Sequence, residues 1–169
     1  VQFIRFDGDQ ITDKITDEAR ISGRLDEVIE RTEDKFDAHN LVKVDFTSGS
    51  RETRTELYPR LAFQQLFRNA VMHRTYEHTN APVKVSWFSD RIEIQSPGGP
   101  FGVVTPENFG QPGITDYRNP NIAEALRNLG YVQRFGAGIA IARKALERNG
   151  NPELTFTVNA AYTLVTVRP

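Results

Sequence analysis

Apolar residues along the chain fall into short alternating runs and longer stretches of helical spacing, and these two rhythms divide it into elements. Residues 1–6 read as a strand turned by Asp7-Gly8, and residues 9–23 are polar and irregular. From Leu25 onward Val28, Ile29, Thr32 and Phe36 recur at helical spacing, which predicts a helix to about His39. Val42, Val44 and Phe46 share one face of a strand, Ser48-Gly49-Ser50 turns it, and residues 51–57 return as a polar, exposed strand. Tyr58-Pro59 opens the next helix, proline being favoured in a first turn. Ala62, Phe63, Leu66, Phe67, Ala70 and Val71 form its broad apolar face. Residues 82–88 and 91–95 make a hairpin around Ser89-Asp90. Asn119-Pro120 caps a helix carrying Ile122, Ala125, Leu126 and Leu129, which Gly130 ends. A last helix places Ile139, Ala142, Ala145 and Leu146 inward and closes at Gly150, and residues 154–158 and 162–167 form a final hairpin through Asn159-Ala160. The pattern is α+β: antiparallel strands with a few helices stacked on one face.

Composition narrows the class. The 169 residues are 38% hydrophobic and 25% charged, the balance of a globular chain of about one domain. No apolar run approaches the ~20 residues of a membrane helix. The absence of cysteine excludes disulfides, thiolate metal sites and a Cys nucleophile, and fits a cytoplasmic protein. The chain opens on Val1 directly in a strand pattern, as a segment of a longer protein would. The net charge of −1 argues against a nucleic-acid-coating surface, but it is unevenly spread. Residues 1–40 hold 11 acidic and 6 basic side chains; the remainder holds 11 and 15, a mildly basic body suited to a phosphate-bearing ligand. The acidic first 40 residues read as a tail-end or connector outside the main core.

Three features invite chemistry. Residues 96–119 hold five of the twelve glycines and four prolines, a loop long enough to be a lid or binding loop, with one short turn after Thr105. Gly136-Ala137-Gly138 stands at a helix start, where unpaired N–H groups and a partial positive charge accept anions and small residues allow close approach; a tight loop alone is the simpler alternative. Gln65, Asn69 and Met72 or His73 share one helical face, since residues three or four apart are neighbours. Arg118 and Arg134 bracket the loop and the glycine turn. A P-loop is excluded because no glycine is followed by lysine, so the segment has no motor motif. His73 and His78 do not share a helical face, which makes a zinc site a weak reading.

As an ordered set, Tyr58-Pro59, Asn69-Ala70-Val71-Met72-His73-Arg74, Asp90-Arg91-Ile92-Glu93-Ile94, Ser96-Pro97-Gly98-Gly99, Arg118-Asn119-Pro120 and Phe135-Gly136-Ala137-Gly138-Ile139 resemble a known family. It is the ATP-binding-like C-terminal domain of transcriptional regulators that carry an AlbA/Schlafen-type DNA-binding domain, often labelled RecG-related ATP-dependent DNA helicase. The resemblance implies a two-layer α/β sandwich of the Bergerat (GHKL ATPase) type, with a mixed, mostly antiparallel sheet. It implies a division into residues 1–57, the end of an upstream domain plus connector, and residues 58–169, the ATP-binding-like domain. It further implies ATP or ADP with Mg²⁺ as ligand, DNA as a partner through the upstream domain, and a homodimer as a possible assembly.

The family's site residues fall on Asn69, which would hold Mg²⁺ against the nucleotide phosphates, on His73 and Arg74, on Gly98 and Arg118, and on Gly136, Ala137 and Gly138 at the phosphates. Residues 99–118 match its mobile lid. Two positions depart. Gln65 stands where the ATPases have their general-base glutamate, and an amide cannot take a proton at neutral pH. Ser96 stands where an adenine-reading Asp or Asn is usual. The expectation is therefore a nucleotide-binding regulatory domain, at most a weak ATPase. The alternatives are a degenerate domain without ligand that serves dimerisation or partner binding, and a slow Mg-dependent ATPase.

Overall fold

A computed structural model describes residues 1–45, 53–132 and 136–169. The turn expected at residues 48–50, Phe46, Arg134 and Phe135 lie outside the described residues. The architecture is α+β. A six-stranded sheet runs in the order β2-β1-β5-β6-β8-β7, built from β1 (Gln2–Phe6), β2 (Ile15–Arg20), β5 (Lys84–Trp87), β6 (Ile92–Pro97), β7 (Thr155–Val158) and β8 (Tyr162–Val167). All its pairings are antiparallel except β1 with β5, where Phe3 lies in register with Val85. A separate two-stranded ribbon pairs β3 (Val42–Asp45) with β4 (Thr53–Glu56). The four described helices are α1 (Leu25–His39), α2 (Arg60–His73), α3 (Pro120–Asn128) and α4 (Gly138–Asn149). The result is a two-layer α/β sandwich.

The inward residues of the strands explain the layering. Phe3, Val85, Trp87, Ile92, Ile94, Val165 and Val167 are all buried in one cluster with Ala62, Phe63, Leu66, Phe67 and Ala70 of α2. Trp87 is its aromatic hub: Phe36 lies at 5.6 Å, Tyr58 edge-on at 5.4 Å and Phe3 at 6.5 Å. Phe36 stacks on Phe63 at 4.1 Å, which joins α1 to α2. Burial in this cluster pushes the Tyr58 hydroxyl well above the usual phenol range.

Two expectations are corrected. The polar stretch 9–23 contains β2, an edge strand whose mostly exposed side chains (Ile15, Thr16 and Glu18 among them) hide its extended form from a hydrophobic pattern. The first 40 residues are part of the main core: Phe3, Ile29 and Phe36 are fully buried, and β1 and β2 belong to the six-stranded sheet. Acidic charge misled here because most of it on α1 lies on the exposed face, while Val28, Ile29 and Phe36 of the same helix are buried. In the ribbon, Val42 and Val44 share a face as expected, but that face is exposed.

Truncation of Phe36 tests this integration. Phe36→Ala should lower the unfolding free energy by about 3–5 kcal/mol, read as an earlier urea midpoint in a single cooperative transition that includes α1.

Candidate functional site

Helix α2 buries its apolar face on the sheet and turns a polar strip the other way. Gln65, Arg68, Asn69 and His73, one helical turn apart in pairs, line an open-mouthed cavity. Gly98 and Gly99 after β6 line it from the sheet, Gly136 and Gly138 at the start of α4 line it opposite α2, and residues of the 99–118 loop form its roof. The loop has no helix or strand, and residues 106–110 turn as expected, with Asn108 Oδ1 accepting the Thr105 N–H.

The glycine turn faces Gln65 closely. A Cβ on Gly138 would lie 3.2 Å from Gln65 Oε1, and Gly136 adopts φ +75°, a left-handed conformation that favours glycine. Gly138, Ile139 and Ala140 are the first helical residues of α4, so their N–H groups have no acceptor inside the helix, while Ile141 donates to the Ala137 carbonyl at 2.9 Å. Bare backbone and the positive end of a helix dipole therefore meet the carboxamides of Gln65 and Asn69 across one space. Ala137 itself is the N-cap residue of α4 and is not on the cavity wall.

Gly98 also has a left-handed φ of +96°; a Cβ there would collide with the Thr75 side chain. Its N–H donates to the Ala161 carbonyl at 2.8 Å, and the Thr75 N–H donates to Pro97 at 2.8 Å. The far end of the roof is fastened by Asn119. It occupies the N-cap position of α3 but does not cap it; its amide donates to the carbonyls of Met72 at 2.9 Å and Arg74 at 2.7 Å. Phe109 packs edge-on against Phe156 at 5.0 Å, resting the middle of the roof on β7.

The remaining expected residues are held elsewhere. Ser96 is buried, and its hydroxyl donates to the Ala70 carbonyl at 2.8 Å, tying β6 to α2. Arg74 turns away from the cavity: its guanidinium donates to the Ala81 carbonyl and lies 4.6 Å from the Tyr76 ring. Arg118 donates to the Gly99 carbonyl at 3.2 Å and covers the Phe101 ring, so it braces the first turn of the roof. Its charge still reaches the site. Burial first, and Arg118 second, lower the His73 imidazole to about 4, and the neutral ring stacks on Tyr117 at 5.4 Å.

Arg68 and Asp116 line the cavity without having been expected. Arg68 shares the strip of Gln65 at i+3, so spacing offered a signal, but an arginine on a helix usually marks solvent. It is held inside by Glu33 of α1: Nε donates to Oε1 at 2.8 Å and Nη2 to Oε2 at 3.0 Å, with side-chain exposures of 14% and 7%. Asp116 gives no sequence signal; its carboxylate accepts the N–H groups of Val103 and Tyr117 and shapes the roof, where a Cβ on Gly102 would strike it.

The chain belongs to the family described as "Putative ATP-dependent DNA helicase recG C-terminal", whose model matches residues 80–167. That stretch covers the roof and the glycine turn and begins after α2. The fold is also that of the DIP2311 protein from Corynebacterium diphtheriae, a structural genomics target, with a TM-score of 0.83 over 99% of this chain at 21% identity. The chain spans 34% of that protein's length. No curated protein matches the chain. No helix among the described residues is long and apolar enough to cross a membrane.

The His73 environment predicts a pH dependence. Its folded pKa of about 4 lies below the unfolded value of 6.5, so the unfolded chain binds the extra proton between them. Stability complete above about pH 6.5 should fall by up to about 3 kcal/mol as pH drops toward 4. Thermal melts across that window should show the decline, and His73→Gln should flatten it.

Proposed function

We propose that this domain binds a magnesium nucleotide, ATP or ADP, in the cavity between α2 and the start of α4, and that it hydrolyses ATP poorly if at all. The observation that carries the reading is the convergence of Asn69, Gly136 and Gly138 on one cavity roofed by a long glycine-rich loop. The unpaired N–H groups at the α4 N-terminus suit phosphate oxygens, and the bare glycine backbone lets them approach. Asn69 offers a carboxamide oxygen to Mg²⁺. Among the described residues no cluster of three His, Cys, Asp or Glu could hold a metal unaided, so phosphate oxygens and water would complete the shell. Bound Mg²⁺ would neutralise phosphate charge. The neutral His73 and the Gln65 amide can donate or accept hydrogen bonds at the same wall.

Hydrolysis needs a group that removes a proton from water. Gln65 occupies the wall next to Gly138 with an amide that has no basic electron pair, which leaves water unactivated. At the end of β6 the Ser96 hydroxyl is already given to Ala70, so base recognition falls to other groups on the wall. Occupancy rather than turnover then becomes the output. We assign the domain a regulatory role in a longer DNA-binding protein, with α1 as the element that conveys occupancy; the family's helicase label has no motor motif behind it in this chain.

Calorimetry with MgADP and MgATP should show binding that Asn69→Ala weakens at least tenfold, about 1.4 kcal/mol. Absence of heat and of thermal shift at millimolar nucleotide overturns the reading. Gln65→Glu should raise ATP turnover by about 10²–10⁴-fold over the parent chain, measured as phosphate release.

A further inference from the structure

Arg68 carries a charge that the nucleotide reading leaves unused. It lies on the cavity wall beside Asn69, yet its guanidinium is committed sideways: two N–H groups to the Glu33 carboxylate of α1, and Nη1 to the Tyr131 carbonyl at 2.9 Å. Glu33 is in turn fixed by Gln64, whose Nε2 donates to Oε2 at 2.6 Å. The Tyr131 ring lies 5.0 Å from the guanidinium, and its hydroxyl donates to Glu30, a second acidic residue of α1. One cation thus joins α1, α2 and the segment five residues ahead of Gly136, at the edge of a space suited to an anion.

We infer that Arg68 is a further anion-binding residue of this cavity, held in reserve by Glu33, so that an anionic ligand and helix α1 compete for one guanidinium. The inference rests on the reading of the cavity as a phosphate site. Five N–H groups leave Arg68 two that Glu33 and Tyr131 do not use, enough to meet a phosphate oxygen at the wall. A phosphate there repels the Glu33 carboxylate and shares its counter-charge, which loosens the α1–α2 clamp. Linkage makes the effect reciprocal: whatever weakens the Glu33 hold strengthens ligand binding by the same factor. A guanidinium suits both partners because its planar fork fits carboxylate and phosphate alike.

The test uses the folded chain with MgADP and, separately, inorganic pyrophosphate as probes. Glu33→Gln should tighten both about three- to tenfold and make binding more salt-dependent, because the freed cation then faces the ligand. Adding Arg68→Gln to that variant should remove the gain, since the effect runs through Arg68; this neutral pair also avoids a buried unpaired charge. In the parent chain, saturating ligand should speed hydrogen exchange of the α1 amides around Glu33. Should Glu33→Gln fail to fold, that exchange measurement decides alone. Ligand that binds the parent chain and is weakened by Asn69→Ala, but leaves α1 exchange unchanged or slowed, overturns the inference and leaves the nucleotide reading standing. Equal or weaker binding by a folded Glu33→Gln overturns it too. Failure of the parent chain to bind either probe removes both, and does so before any variant is made.

Discussion

Helix α2 has to satisfy two surroundings at once. Ala62, Phe63, Leu66, Phe67, Ala70 and Val71 bury it against the sheet and the other helices, while Gln65, Arg68, Asn69 and His73 face a cavity that polar groups must line. A helix in that position cannot rotate without either exposing its aromatic residues or burying its amides. The Phe36–Phe63 stack and the bidentate Glu33–Arg68 pair hold it from the α1 side, and the Ser96 hydroxyl holds it from the sheet. Breaking such a buried pair by removing one partner typically costs about 3–5 kcal/mol, because the other charge is stranded. The helix that presents Asn69 to the cavity is therefore held in place by the core.

Most of the fold was legible because its core elements obey simple rhythms. The apolar face of α2, the 84–97 hairpin and the 155–167 hairpin all follow from spacing, and Gly150 ends α4 with φ +85° as a left-handed helix stop does. What was not legible lies where packing overrides local pattern. β2 is an edge strand whose mostly exposed polar side chains leave no alternation to detect, and the parallel β1–β5 pairing joins segments about eighty residues apart. The low apolar content of the first 40 residues concealed their place in the main core, where Phe3, Ile29, Thr32 and Phe36 are fully buried.

The lining of the candidate cavity was legible in its backbone and less so in its side chains. Glycine at 98, 136 and 138 and an amide at 69 declare themselves by type and spacing, and all four positions border the same cavity. The cations do not. Arg74, Arg118 and Arg68 look alike in sequence, but a nearby carbonyl, a roof turn and an acidic helix claim them respectively. Only tertiary partners decide which positive charge borders the cavity, and those partners are distant in the chain: Glu33 lies 35 residues from Arg68.

The roof of the cavity is anchored at both feet. Gly98 and Gly99 bond to the turn between β7 and β8, and Asn119 grips the carbonyls of Met72 in the last turn of α2 and of Arg74 just beyond it. Between the two feet the arch over the entrance is seated at its middle, where Phe109 rests on Phe156. Loosening that one aromatic seat changes the size of the doorway while the frame on either side keeps its shape.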